Sequence, residues 1–194
     1  MCGRYYIDVE NASGWLPKSI AEIERRPGSG EALAKMRLGE IYPSDVVPVL
    51  AQGGAQLMKW GYSGYKNRVI NARSETAFEK AMFRSSLLGR RCLIPASGYY
   101  EWRRTASGSK TKQKFALYRP GQPTYMAGLW REERNEELPV FVILTREAAP
   151  EIADIHDRMP VILPDAALDG WIADGDPERL MAQAVQEIAY QAVP

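Results

Sequence analysis

Short apolar runs closed by turn-forming residues are the feature that most limits what this chain can become. Seven of them, each five or six residues long, lie at Val46–Ala51, Gln56–Trp60, Arg91–Ala96, Tyr99–Arg103, Lys114–Arg119, Tyr125–Trp130 and Val140–Thr145. Runs of that length, rich in β-branched and aromatic residues, read as strands rather than helices. Gly53-Gly54 marks a hairpin between the first two. Thr105–Thr111, with Gly108 and several Ser and Thr, reads as a longer hairpin loop. Helices are fewer. They are expected at Glu31–Leu38, stopped by Gly39; at Glu75–Phe83, capped by Ser74; at Glu147–Ile155; and at Pro177–Tyr190. In the last, Asp176 caps and Leu180, Ala184, Val185 and Ile188 form an apolar stripe. The expected fold class is α+β, a single domain over residues 1–194 built on antiparallel strands.

No apolar run reaches the roughly 18–20 residues of a membrane span. Met1–Tyr6 lacks the apolar segment of a signal peptide. The chain has two cysteines, Cys2 and Cys92, too few for a disulfide framework, so a reducing cytoplasm is the expected setting. Nothing calls for an oligomer, and a monomer is expected.

The formal net charge of +1 argues, taken whole, against a nucleic-acid partner. Its distribution argues the other way. Residues 84–114 carry eight Lys/Arg against the single acid Glu101, a net +7, whereas residues 132–194 carry four Arg against fourteen acids, a net −10. Such asymmetry suggests an anionic partner for the basic segment; a solvated hairpin loop is the plainer reading of Lys110–Lys114.

Four clusters carry residue types suited to chemistry. Removal of Met1 would leave Cys2 as a 1,2-aminothiol. Its α-amine, titrating near 7.7–8.0, attacks an aldehyde, and the thiol then closes a five-membered thiazolidine. The plainer alternative is a small buried cysteine. In Val69–Thr76 an apolar strand end meets a polar tip, where Asn71 can donate and accept and Arg73 can hold a phosphate; Asn71 and Ser74 can equally serve a turn and a cap. Glu101 sits among aromatics, where burial raises a carboxyl and nearby arginine lowers it, the setting of a general acid/base. A cross-strand ion pair is the alternative. His156, the sole histidine, can transfer protons near neutrality or can be structural, and Arg158 beside it suits a phosphate. Cys2, Cys92 and His156 lack metal-ligand spacing, and no glycine-rich phosphate loop follows a strand, so neither metal nor cofactor is expected.

Together these segments resemble the SRAP family, named from "SOS response-associated peptidase". The resemblance rests on Cys2-Gly3-Arg4-Tyr5, Asn71–Thr76, Arg91–Ala96 with Gly98–Trp102, Ala127–Trp130 and His156–Pro160, in that order over residues 2 to about 163. It implies curved antiparallel sheets forming an open barrel-like core with a few flanking helices. It implies a bacterial, cytoplasmic protein, nucleoid-associated during repair, that senses abasic sites in single-stranded DNA or at a single-strand/double-strand junction. Cys2 would form the thiazolidine crosslink, Asn71 would orient amine and sugar, and Glu101 and His156 would move protons. Crosslink reversal and AP lyase activity through the Schiff base are implied as accompanying activities. Arg4, Arg73 and Arg158 would hold phosphates, and Trp60 or Tyr62 would stack on a base. After Trp60-Gly61 the family runs through Leu-Ile-Pro to a second Trp; here Tyr62-Ser63-Gly64-Tyr65 implies a loop of different shape. Two rivals are a cysteine peptidase, pairing Cys2 with His156 and removing its own Met1, and a non-covalent single-strand binder.

Overall fold

A computed structural model describes residues 2–10, 12, 14–26, 28–104 and 112–194. All seven runs fall on strands, with Arg119 one residue past its strand. The expected Thr105–Thr111 loop lies outside the described residues. Two sheets form. The first is wholly antiparallel and orders β12 (Ala189–Val193), β8 (Lys112–Tyr118), β7 (Gly98–Arg104), β1 (Tyr5–Ile7) and β2 (Gly39–Ile41). The second orders β11 (Arg158–Pro160), β10 (Val140–Glu147), β4 (Gly54–Trp60), β3 (Val46–Ala51), β6 (Arg91–Ala96) and β9 (Thr124–Arg131), with β5 (Asn71–Arg73) also on β10.

The second sheet curls until β9 pairs with β10, a ring-like sheet rather than a regular barrel. It is mixed rather than antiparallel throughout, because β4 and β5 both run parallel to β10. After Trp60 the chain leaves β10 in a loop closed by the antiparallel Tyr62–Val69 pair, and it rejoins β10 at Asn71 running in the direction of β4.

Local chemistry explains the turns that matter. The β3–β4 hairpin closes at Ala51↔Gly54, with φ +86° at Gly53 and +97° at Gly54, a region costly for other residues. Between β6 and β7 the chain crosses from one sheet to the other through Ser97 and Gly98. A Cβ at Gly98 would lie 2.5 Å from the Leu117 carbonyl oxygen and 2.6 Å from the Tyr6 hydroxyl, so only glycine lets β7 settle between β1 and β8. That crossing carries Glu101 to the inner face.

The helices depart most from expectation. The α1 (Leu16–Glu24) and α4 (Asp165–Ile172) helices lie outside the expected ones, although Leu16, Ile20 and Ile23 give α1 an apolar face, and α2 spans Ser29–Ala34. Ser74–Thr76 forms only a 3-10 turn, and α3 begins at Ala81 and ends at Gly89, with Phe83 and Leu87 facing the sheet. Another 3-10 turn, Pro150–Ile152, replaces the expected Glu147–Ile155 helix. The Pro177 helix, α5, stops at Met181; Asp176 caps it through the Glu178 and Arg179 N–H groups. Its expected second half is not helical: the Val185 N–H donates to the Ile162 carbonyl at 2.8 Å, and from Ala189 the chain forms β12, which covers the edge of β8.

The second sheet separates two cores. One holds Cys2, Tyr5, Trp60, Tyr99, Phe141, Ile155 and Met159; the other packs Phe83, Leu87, Leu129 and Trp171 under α3 and α4. The first core contains the candidate site. Among the described residues, no helix is long and apolar enough to cross a membrane.

Candidate active site

The strand β1 brings the chain's start into the first core. Tyr5 pairs with Tyr99, and the Tyr100 N–H donates to the Arg4 carbonyl at 2.9 Å. Cys2 therefore lies buried near Glu101, on the inner face of β7. From the second sheet, β5 presents Asn71, held in register with Ile143. Its Nδ2 donates to the Cys2 carbonyl at 2.8 Å. A carbonyl only accepts, so the amide orientation is settled and Oδ1 points elsewhere. Asn71 Oδ1 is buried and has no hydrogen-bond partner among the described residues.

His156 completes the group. The turn before β11 sets its Nε2 3.8 Å from Glu101 Oε2. Its Nδ1 accepts the Arg158 backbone N–H at 3.0 Å and lies 2.8 Å from Asp157 Oδ1. Four residues from remote segments, Asn71, Cys2, Glu101 and His156, thus form a continuous series.

Electrostatics suit proton transfer. Burial raises the Glu101 carboxyl to about 7, with Asp157 adding to the rise and Lys112 opposing it. A carboxyl there is divided between its two forms at neutral pH. Burial lowers His156, which favours the neutral ring. Burial also pushes the Cys2 thiol well above its ordinary range, and Glu101 pushes it further, so the thiol stays protonated. Its weak hydrogen bond goes to the Arg4 carbonyl at 3.9 Å, not to His156.

The expected DNA contacts divide. Arg4 lies outside this core, 3.1 Å from Glu40 and with its guanidinium 4.0 Å from the Tyr42 ring and 5.2 Å from Trp102. Lys114 joins the same cluster, 3.0 Å from Glu40 and 3.9 Å from the Tyr100 ring. Sequence reading missed Tyr42, Trp102 and Lys114 as a group, because only the sheet register places Trp102 opposite Lys114. Arg73 is exposed at the end of β5.

Two assignments need correction. Trp60 is fully buried, its Nε1 donating to the Ile70 carbonyl at 3.0 Å and its ring stacked against Phe141, so it offers no face to a base. Tyr62 is equally buried, under Arg131. Tyr5 on β1 and Phe141 on β10 claim the Trp60 ring, and Phe83 on α3 claims that of Tyr62. Arg158 is not an open phosphate ligand: Glu75 engages it bidentately at 2.7 and 2.8 Å, and Thr145 O accepts from it at 2.7 Å. The basic segment is likewise no uniform face. Arg91 is buried, Arg103 pairs with Asp154, and Lys114 pairs with Glu40.

Known proteins resemble this chain in sequence and in fold. The family model for SOS response associated peptidase (SRAP) matches residues 1–193. Abasic site processing protein YoqW of Bacillus subtilis is 35% identical over 160 residues, 80% of this chain and 64% of YoqW. The match thus spans a little under two thirds of that relative's length. Abasic site processing protein YedK of Escherichia coli is 33% identical over 183 residues, 89% of this chain and 79% of YedK. A solved Bacteroides thetaiotaomicron protein, 20% identical, superimposes with a TM-score of 0.76 over 100% of this chain and 92% of its own, which bears on the fold alone. A phage-related protein of Bordetella bronchiseptica, 25% identical, does so at 0.75 over 99% and 94%. With a model spanning nearly every residue and relatives at about one third identity over four fifths of its length, the chain belongs to the SRAP family.

Proposed function

We propose that this chain processes abasic sites in DNA and captures them covalently through Cys2. The observation that carries the reading is the Asn71–Cys2 hydrogen bond, which holds the chain's start against Glu101 and, through it, His156. The names of YoqW and YedK support it.

An abasic sugar opens to an aldehyde. Once Met1 is removed, the Cys2 amine attacks the aldehyde carbon, and Asn71 Oδ1, an acceptor without a partner, steadies that amine. Protonated Glu101 donates to the departing oxygen, which leaves as water, and the imine forms. The thiol then closes on the same carbon, and the Glu101 carboxylate takes its proton. A carboxyl near 7 serves both steps. The protonated thiol favours this order, amine first and thiol second. Cleavage of the strand by β-elimination from the imine, and reversal of the crosslink, follow from the same intermediate.

Single-stranded DNA, or its junction with a duplex, supplies the phosphates that Arg4 and Arg73 hold. Tyr42 and Trp102 supply the stacking surface assigned above to Trp60. The peptidase reading has less support, because Cys2 lacks the hydrogen-bonded histidine that a thiolate nucleophile needs.

The test is a single-stranded oligonucleotide bearing one abasic site, mixed with mature protein and run on a denaturing gel. A heat-resistant adduct lost in Cys2→Ala and kept in Cys92→Ala is expected. No adduct from protein with a verified free Cys2 amine would overturn the proposal.

A further inference from the structure

The two ring nitrogens of His156 face different environments. Nδ1 lies 2.8 Å from the Asp157 carboxylate, whose side chain is 82% exposed, while Nε2 faces Glu101, whose side chain is 5% exposed, at 3.8 Å. The ring itself is 26% exposed. Exposure therefore falls stepwise from Asp157 to His156 to Glu101. We infer that Asp157 is a positioning residue for proton transfer, holding the solvent end of a relay in which His156 passes protons between bulk water and the buried Glu101–Cys2 site. The inference rests on the reading of the site given above.

The proposed chemistry requires such a route. Near neutral pH much of an N-terminal amine is ammonium. From the ammonium, C–N and C–S bonds form at the aldehyde carbon and its C=O bond breaks, without oxidation or reduction. Of the four protons on the ammonium and the thiol, two leave in the water, one stays on the ring nitrogen, and the fourth must reach solvent.

The ring is set up to hand that proton outward. The Arg158 N–H on Nδ1 leaves the resting ring's proton on Nε2. Outward transfer therefore starts from the other tautomer, whose Nδ1–H points at Asp157: its open Nε2 takes a proton from Glu101 and the ring becomes an imidazolium. Release of that proton to Asp157, and on to water, leaves Nδ1 with its lone pair. The Arg158 backbone N–H, 3.0 Å away, then donates to that lone pair and stabilises the neutral ring. Asp157 thus stabilises the charged form and Arg158 the product of its release. Crosslink reversal runs the same path inward. The gap between Nε2 and Glu101 closes with a shift of about 1 Å, within the looseness usual before substrate binds.

The experiment measures crosslinking in single turnover, at saturating abasic DNA and constant ionic strength, in dilute buffer and in concentrated imidazole. Asp157→Asn, on an exposed side chain, leaves folding intact. It is expected to slow crosslinking roughly tenfold in dilute buffer, less than the roughly 10²–10⁴-fold of a directly acting acid/base. Imidazole, acting as an external proton carrier, should restore most of the rate while leaving the wild-type rate unchanged. Asp154→Asn, a nearby exposed acid that does not face His156, should match the wild type. An Asp157→Asn rate equal to wild type in dilute buffer, or a deficit that imidazole fails to restore, overturns the relay while the site reading stands. No adduct from wild-type protein overturns the site reading and the relay with it.

Discussion

Asn71 donates its side-chain N–H to the carbonyl of Cys2 at 2.8 Å, joining positions 69 residues apart in the sequence. The bond fixes the backbone of the reacting residue while leaving Asn71 Oδ1, buried and unpaired among the described residues, for the amine. Asn71→Ala should therefore lower the crosslinking rate by roughly 10²-fold, in keeping with loss of orientation at a reacting centre. Its stability cost should be only about 1 kcal/mol, that of one hydrogen bond. Single-turnover rates and thermal melts on the same variant check both.

Glu101 makes stability depend on pH in an unusual direction for a carboxyl. Its folded pKa, about 7, is raised above the unfolded value near 4.5. The folded state thus binds more protons between those values, and stability falls as pH rises through that window. The full cost, above pH 7, is about 3 kcal/mol. Glu101→Gln should abolish this slope, so the variant gains on the wild type between pH 5 and pH 8. Melting curves across that range, which should converge near pH 5 and separate toward pH 8, check it. A flat wild-type profile would mean the carboxyl stays charged.

Trp60 and Trp102 should separate stability from binding. Trp60→Phe removes the bond to the Ile70 carbonyl, one residue before Asn71, and leaves a gap beside Phe141. It should cost roughly 1–3 kcal/mol of stability. Trp102→Ala, on the outer face beside Arg4, should weaken binding to undamaged single-stranded DNA by about 1–3 kcal/mol with a smaller stability effect. Fluorescence anisotropy and melting of the two variants give the comparison. The opposite pattern would return the stacking role to Trp60.

Strand positions were legible because apolar runs closed by Gly, Pro and polar residues leave few alternatives. The four residues of the candidate site were legible because each is a rare chemical type in an ordered motif. Their spatial relations were not. Only the β5–β10 register brings Asn71 to Cys2, and only the β7–β8 register puts Trp102 beside Lys114. The end of the last expected helix was hidden for the same reason. From Ala189 onward the chain meets the open edge of β8 and pairs with it as a strand, where a helix through Tyr190 was expected. Trp60 was misread because a tryptophan before a glycine and a polar loop looks exposed, whereas it fills the space between β1 and β10.

Arg91 shows why charge in sequence and charge on a surface differ. It belongs to the basic segment, yet it is buried and donates to four backbone carbonyls. Nε reaches Trp171 at 2.7 Å, Nη1 reaches Leu87 at 3.1 Å, and Nη2 reaches Ala173 at 2.8 Å and Gly175 at 3.0 Å. These oxygens lie at the C-terminal ends of α3 and α4, where unpaired carbonyls and the helix dipole favour a cation. Arg91→Met leaves the carbonyls buried without donors and should cost about 3 kcal/mol. Arg91→Lys should recover little, since an ammonium cannot span four acceptors so spaced. Neither should alter the salt dependence of DNA binding. Arg73→Ala should leave stability unchanged and reduce the slope of log affinity against log salt by about 0.7, the contribution of one single-strand phosphate contact. Denaturant melts and a salt titration check the pair. A reduced slope for Arg91→Met at intact folding would place that guanidinium on the DNA after all.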